Sequence, residues 1–273
     1  MIADSPYSMS AEELYFFDLR GYLVLPSVLT TAQRGACHEA FAHEGGGTAD
    51  AGDGEVSGML GWPAPYRDPF RELLVQPAVV SRLNEVCGSG FRLDESPTWI
   101  RRKGGTQGQP LHGAGQRGFD SGSWYHQQNG RIFCRAVTVV WPLTDAGPGD
   151  GGFAIIPGSH KSCEPQPAAV DFAFRLALQP LMKAGDALLF AETATHGWLP
   201  PASGKKEFQC LRYRFTSRGN ARSVGRFFAP EERYGDWSDE LTAAERAVLY
   251  GPGVDDVPRL ESDGNRTWIS ATP

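Results

Sequence analysis

Trp141-Pro-Leu-Thr-Asp145, Gly149-Asp-Gly-Gly-Phe153 and Ile156-Pro-Gly-Ser-His-Lys161 form one continuous block, and Lys183-Ala-Gly-Asp-Ala-Leu-Leu-Phe190 leads from it to His196-Gly. Each apolar run is short and is closed by Gly, Pro or Asp, the residues that set turn geometry. Ala184-Gly-Asp reads as a turn, Ala187–Ala191 as a buried strand, and His196 as a side chain at that strand's far end. The same pattern extends outward on both sides. Phe91–Arg102, Arg131–Thr144, Phe153–Ile156, Leu176–Met182, Ala187–Ala191 and Phe208–Thr216 read as strands. There is no strict βαβ alternation and no repeat.

Before residue 90 the chain reads helical. Ser10-Ala-Glu-Glu13 is a capping box ahead of Leu14, Phe16 and Phe17, and Gly21 ends that helix. Tyr22-Leu-Val-Leu25 is a short strand closed by Pro26, and Thr30 or Thr31 caps a second helix to about His43. Residues 45–58 read as a mobile Gly/Asp/Ala-rich loop. Asp68-Pro69 opens a third helix to about Val86, with Pro77 placed to kink or split it. Thr242-Ala-Ala-Glu245 caps a helix near the end, and the tail after Gly251 reads as irregular. Helices first and antiparallel strands later predict an α+β chain with a mainly β core, a barrel or double-sheet jelly roll. The expected organisation is a single domain over 1–273. Its helical part spans 1–88, its core about 90–217 and its C-terminal extension 218–273.

Composition narrows the function. The chain has 273 residues, 41% apolar and 21% charged, enough for a sizeable core. With 26 Lys and Arg against 32 Asp and Glu the net charge is −6, which argues against a nucleic-acid polymer or an anionic membrane as partner. The most apolar stretch, Ala136 to Leu143, is far short of the ~20 residues of a membrane span. The first 20 residues carry Asp4, Glu12, Glu13 and Asp18, unlike a signal peptide. Five scattered cysteines without a CxxC predict neither a zinc site nor a disulfide framework and fit a reducing cytoplasm. No GxSxG, Walker or Rossmann signature is present.

Of six histidines, His38 and His43 read as surface residues of a helix, and His160 as part of a structural turn. His112, in Pro110-Leu-His-Gly-Ala114, and His196 can meet at one barrel mouth, where two imidazoles suit a divalent first-row metal. The bland alternatives are a loop histidine that caps a carbonyl and a core histidine beneath a tryptophan. His126 in His126-Gln-Gln128 is a second candidate for the metal, read here as a substrate or supporting histidine. Arg101, Arg102 and Lys103 form a basic cluster, either a solvated strand end or an anion clamp to which Arg131 and Arg135 could add.

The Trp141, Gly149 and Ile156 block, with the Lys183 strand, His196-Gly and Gly21-Tyr-Leu-Val-Leu-Pro26, resembles the phytanoyl-CoA dioxygenase family of iron(II)/2-oxoglutarate oxygenases over about residues 12–217. The resemblance implies a double-stranded β-helix, a cupin-type jelly roll. It implies iron held by a His-x-Asp pair and a distal histidine, with bidentate 2-oxoglutarate and O2 on the remaining positions. His196 matches the distal ligand and His112 the proximal one, 84 residues apart. The chain departs from the pattern at Ala114, where the family carries aspartate. That departure resembles the halogenases of this class, so Gly113 and Ala114 are expected to border a bound chloride, whose charge replaces the lost carboxylate. Asp120 is an alternative source of a carboxylate. The family also implies an arginine after the distal histidine that grips the far carboxylate of 2-oxoglutarate as a bidentate fork. Arg212 is expected in that role, with Arg214 second and Trp141 packed beside the co-substrate. The expected reaction is halogenation at carbon of a small metabolite in natural-product biosynthesis, a phosphorylated compound or nucleotide suiting the basic cluster. Hydroxylation on the same scaffold, or a jelly-roll binding module without metal, are the alternatives.

Overall fold

The computed structural model describes residues 9–45, 54–103, 108–113, 124–162, 164, 175–200, 207–219, 235–249 and 258–270. Helix α1 (Ala11–Arg20) starts in the expected capping box, with Ser10 and Glu13 bonded reciprocally. It ends at Gly21, whose φ of +80° suits glycine. Strand β1 (Tyr22–Leu25) follows, then α2 (Thr31–Glu44) behind a second capping box of Thr30 and Gln33. The third expected helix splits at Pro77, as its missing N–H requires. Its parts are α3 (Asp68–Glu72), a 3-10 turn at Leu73–Val75, and α4 (Pro77–Cys87).

Part of the expected 45–58 loop is instead strand β2 (Gly54–Ser57). The expected strand 91–102 is two, β3 (Arg92–Leu93) and β4 (Thr98–Arg102), interrupted around Pro97, which cannot donate to a ladder. Next come β5 (Gln109–His112) and the hairpin β6 (Tyr125–Gln128) and β7 (Arg131–Cys134), followed by β8 (Ala136–Pro142) and β9 (Gly152–Ile155). Leu176–Met182, expected as a strand, makes only isolated bridges from Leu178 to Ile155 and from Met182 to Ala146. Strands β10 (Ala187–Ala191), β11 (His196–Leu199) and β12 (Phe208–Thr216) complete the core. Helix α5 (Ala243–Leu249) has its Thr242–Glu245 capping box. The tail is not irregular throughout. Strands β13 (Arg259–Ser262) and β14 (Thr267–Ser270) form a hairpin tied to α4 by Asn84 Nδ2 to the Leu260 carbonyl (2.9 Å) and Ser262 Oγ to the Pro77 carbonyl (2.8 Å).

The large antiparallel sheet runs β1-β10-β8-β12-β4-β2, with β3 also on β12; a small one runs β5-β11-β9. Alternation sends successive side chains of β8 and β12 to opposite faces. Val137, Val139, Trp141, Leu211 and Tyr213 face the helices. Phe41 of α2 stacks on Trp99 at 4.1 Å, and the Tyr213 hydroxyl donates to the Phe70 carbonyl of α3 (2.8 Å). Val140, Leu188, Phe190, Phe208 and Cys210 pack instead against Phe153, Ile155 and Trp198 of the small sheet. Two antiparallel sheets thus lie face to face, with helices covering the outer face of the larger. No helix among the described residues is long and apolar enough to cross a membrane. Cys37, Cys87, Cys134 and Cys210 are buried free thiols.

His160 locks the Pro-Gly-Ser-His-Lys turn to the end of α1. Its Nε2–H donates to the Asp18 carbonyl (3.0 Å), and its ring stands edge-on to Tyr125. A Cβ on Gly21 would lie 2.5 Å from His160 Nδ1, so glycine is required there by space as well as by φ. Burial is the main cause that pushes the His160 pKa down to about 4, from histidine's ordinary 6.5. Between these values the unfolded chain binds the proton and the folded chain does not. The stability is therefore complete above pH 6.5 and declines as pH falls toward 4. Urea unfolding across that range should show this loss, and His160→Gln should flatten it.

Candidate active site

The two histidines meet through strand register. In the β5–β11 pair His112 lies directly opposite His196, and the ring centroids are 4.5 Å apart at 54°. The register shifts between His196 and Trp198, a bulge that re-aims the end of β11. Among the described residues each Nδ1 faces a carbonyl acceptor alone, so each carries the proton. His112 Nδ1–H donates to Pro110 (3.0 Å) and His196 Nδ1–H to Ala194 (2.8 Å). Nε2 of each ring is then the lone-pair nitrogen that a metal needs. His196 is 7% exposed. Burial, helped by His112 and Arg214 and opposed by Glu192, lowers its pKa and favours the neutral ligand form.

Gly113 has a local reason to be glycine. Its φ is +100°, and a Cβ there would sit 2.3 Å from the Ala194 oxygen that already accepts from His196. Gly113 therefore lets the two histidine strands approach. Ala114 and Asp120 lie outside the described residues.

The histidines border a cavity of about 180 Å³ whose lining also includes Arg212 and Arg214. The floor is laid out by the register of the large sheet. Phe190, Thr138 and Arg214 form one row, and Leu188, Val140, Arg212 and Thr98 the next. His196 packs on Phe190, with centroids 4.5 Å apart, so Arg214 lies two strands across from it. Phe153 lies beside the His196 ring, with Trp198 packed behind Phe153.

The two arginines differ in their commitments. Arg214 is 9% exposed at its side chain and meets Asp94 (3.4 Å), Glu95 (3.4 Å) and Glu192 (3.3 Å). Although burial pushes Glu192 up, the Arg214 guanidinium, His196, the Thr138 hydroxyl that donates to it, and Arg212 hold its pKa near 2. Arg212 is 31% exposed at its side chain and has a longer ion pair with Glu95, at 3.8 Å. Arg212 thus presents charge to the cavity while Arg214 is consumed by the protein. Glu192, Glu95 and Thr138 were not nominated by sequence. Glu192 lies in the run between β10 and His196, which was the available signal.

Other nominated residues lie elsewhere. Trp141 was expected beside the co-substrate, but it is fully buried on the opposite face, in the helix-side core against Tyr213. The alternation that aims Arg212 inward aims Trp141 outward. Arg101 pairs with Glu207, and Arg102 with Glu55 (2.7 Å) and the Gly54 carbonyl (3.3 Å). These two guanidinium groups are bound to protein acceptors rather than open to an anion. His126 and Arg131 lie on the exposed face of the β6–β7 hairpin, with Arg131 over Phe133 at 5.9 Å, and neither lines the histidine cavity. Among the described residues no group of three His, Cys, Asp or Glu is placed to hold a metal.

The phytanoyl-CoA dioxygenase (PhyH) family model matches residues 17–205. The chain belongs to the phytanoyl-CoA dioxygenase family. Like that family, it is a non-haem iron(II)/2-oxoglutarate-dependent oxygenase. A search of the curated proteins finds no match. Solved structures share the fold. HygX from Streptomyces hygroscopicus, with nickel, 2-oxoglutarate and hygromycin B bound, is 20% identical with a TM-score of 0.66 over 77% of this chain and 88% of that one. EctD from S. alaskensis, with 2-oxoglutarate and 5-hydroxyectoine, is 19% identical with a TM-score of 0.61 over 93% and 91%. SnoK, a carbocyclase from nogalamycin biosynthesis, is 19% identical with a TM-score of 0.57 over 79% and 88%. Two of the family's three metal donors have counterparts here, while the residue at the carboxylate position, Ala114, lies outside the described residues. Two imidazoles whose Nδ1 atoms are taken up by carbonyls suit iron(II) through Nε2, and the Arg212 guanidinium in the same cavity suits a dicarboxylate.

The contrast between the arginines is measurable. Arg214→Met strands buried carboxylates and should cost about 3–5 kcal/mol in urea unfolding. Arg212→Met should change stability by less than about 1 kcal/mol.

Proposed function

We propose that this oxygenase is a halogenase that acts at carbon on a small metabolite. His112 and His196 hold iron(II), Arg212 binds the far carboxylate of 2-oxoglutarate, and a halide lies beside Ala114. The observation that carries the reading is the opposed histidine pair followed, two residues after His112, by alanine where the family has aspartate. Glu95 and Glu192 line the same cavity, but both are engaged with guanidinium groups. A metal held by two neutral imidazoles retains charge that a halide can balance. The two facing sheets also support the double-stranded β-helix reading of the core. Bound ligands such as hygromycin B in HygX support a small metabolite as substrate class.

Iron, when bound with O2 and 2-oxoglutarate, supplies oxidative decarboxylation of the co-substrate to succinate and carbon dioxide and abstraction of a substrate hydrogen. The protein supplies position. The Pro110 and Ala194 carbonyls fix the two imidazoles, and Phe190 and Phe153 pack against the His196 ring. Arg212 orients the dicarboxylate, while the Asp94, Glu95 and Glu192 carboxylates hold Arg214 beside it.

Anaerobic absorption titration with iron(II) and 2-oxoglutarate tests this reading. A charge-transfer band that shifts on addition of chloride is expected, and its loss in Ala114→Asp. His112→Ala and His196→Ala should each abolish iron binding. A band indifferent to chloride would instead favour hydroxylation on the same scaffold.

A further inference from the structure

The interruption between β3 and β4 has a chemical consequence. Strand β3 pairs with the end of β12 through Leu93 opposite Phe215, and β4 rejoins β12 at Thr98 opposite Arg212. Between them the chain leaves the ladder over Asp94–Pro97. The Asp94 N–H still bonds to the Arg214 carbonyl (2.8 Å). This detour brings Glu95 to both cavity arginines, with Oε1 3.4 Å from Arg214 Nη1 and Oε2 3.8 Å from Arg212 Nη2. The Glu95 side chain is 20% exposed, in the same cavity as the histidines.

We infer that Glu95 is an internal competitor for the co-substrate's carboxylate, a positioning residue that occupies the edge of Arg212 before 2-oxoglutarate arrives and yields it on binding. The inference rests on the reading of Arg212 as the co-substrate anchor. A guanidinium holds a carboxylate best through two parallel N–H donors. For the far carboxylate of 2-oxoglutarate to be held so, it must displace Glu95 Oε2 from the neighbourhood of Nη2. Glu95 keeps a partner when it yields, because Oε1 already lies on Arg214, which Asp94 and Glu192 also hold. Exchange is therefore a swing of one oxygen rather than exposure of a bare buried charge. Among the described residues the Asp94, Glu95 and Glu192 carboxylates already balance Arg212, Arg214 and the nearby Arg135, so an incoming carboxylate gains little at Arg212 until Glu95 gives way. Glu95 thus weakens every ligand that must take Arg212, and leaves untouched a 2-oxoacid that lacks the far carboxylate.

The test is equilibrium binding to the iron(II)-loaded protein under anaerobic conditions, by calorimetry and by the charge-transfer band. The probes are 2-oxoglutarate and 2-oxobutanoate, which differ at the far carboxylate. In Glu95→Gln the affinity for 2-oxoglutarate should rise about tenfold, while that for 2-oxobutanoate stays within twofold. Glu95→Asp, shorter by one methylene, should shift 2-oxoglutarate in the same direction by a smaller factor, and it carries the test if the glutamine variant melts early. Unchanged or weaker 2-oxoglutarate binding in the folded Glu95 variants, or an equal gain for both probes, would overturn the inference. Arg212→Met separates this from the anchor reading. If that variant binds 2-oxoglutarate as the native protein does, the anchor is misassigned and the inference falls with it. If it loses 2-oxoglutarate alone, the anchor stands and the Glu95 variants decide.

Discussion

Strand β12 is buried on both faces, and its pleat can satisfy two environments only by alternation. Leu211, Tyr213 and Phe215 enter the helix-side core, while Arg212 and Arg214 enter the space between the sheets. A slip of one residue would drive two guanidinium groups into an apolar core and send aromatic rings into the cavity. That cost ties the register of β8, β4 and β10 to the chemistry of the site. Thr138, Phe190 and Thr98 occupy their places because they lie in the same rows as the arginines. Trp141, one strand over and one residue out of phase, is excluded from the cavity by the same rule.

Placing two cations in a low-dielectric interior has a consequence of its own. An uncompensated guanidinium there costs several kcal/mol, so carboxylates must be close by. Asp94 and Glu95 come from an interruption in the sheet, and Glu192 from the turn before His196. Arg214 is neutralised from three sides and becomes part of the scaffold. Arg212, with one longer ion pair among the described residues, retains a field that a ligand can use. The distinction between a structural arginine and a binding one is here a matter of how many acids surround each. Both are arginines on the same face of the same strand.

Much of the scaffold was legible. Capping boxes at Ser10 and Thr242, the cap at Thr30 and the break at Pro77 are local chemistry and occur where the sequence allows them. Strand β12 is an uninterrupted β-favouring run, and its span matches expectation. Strands β5 and β11 were not legible as strands. Four residues with Pro110 inside, and four beginning at a histidine, carry too little pattern, and pairing with each other and with β9 makes them strands. The 91–102 run looked continuous because its residue types favour strands on both sides of Pro97. The C-terminal hairpin was missed because its order comes from contacts with α4, nearly two hundred residues earlier in the chain.

By itself the sequence determined the chemistry on offer: two histidines in turn-rich surroundings, alanine at position 114, and two arginines on one face of one strand. These follow from residue identity and from the period of a pleated strand, which are local properties. Tertiary structure decided which groups meet. It set His112 opposite His196, drew Glu192 and Glu95 to the arginines, bound Arg101 and Arg102 to carboxylates, and turned Trp141 away. Those outcomes depend on register and burial between segments distant in the chain. Residue composition carries no record of them, because the energy of a charge or a ring depends on what packs against it.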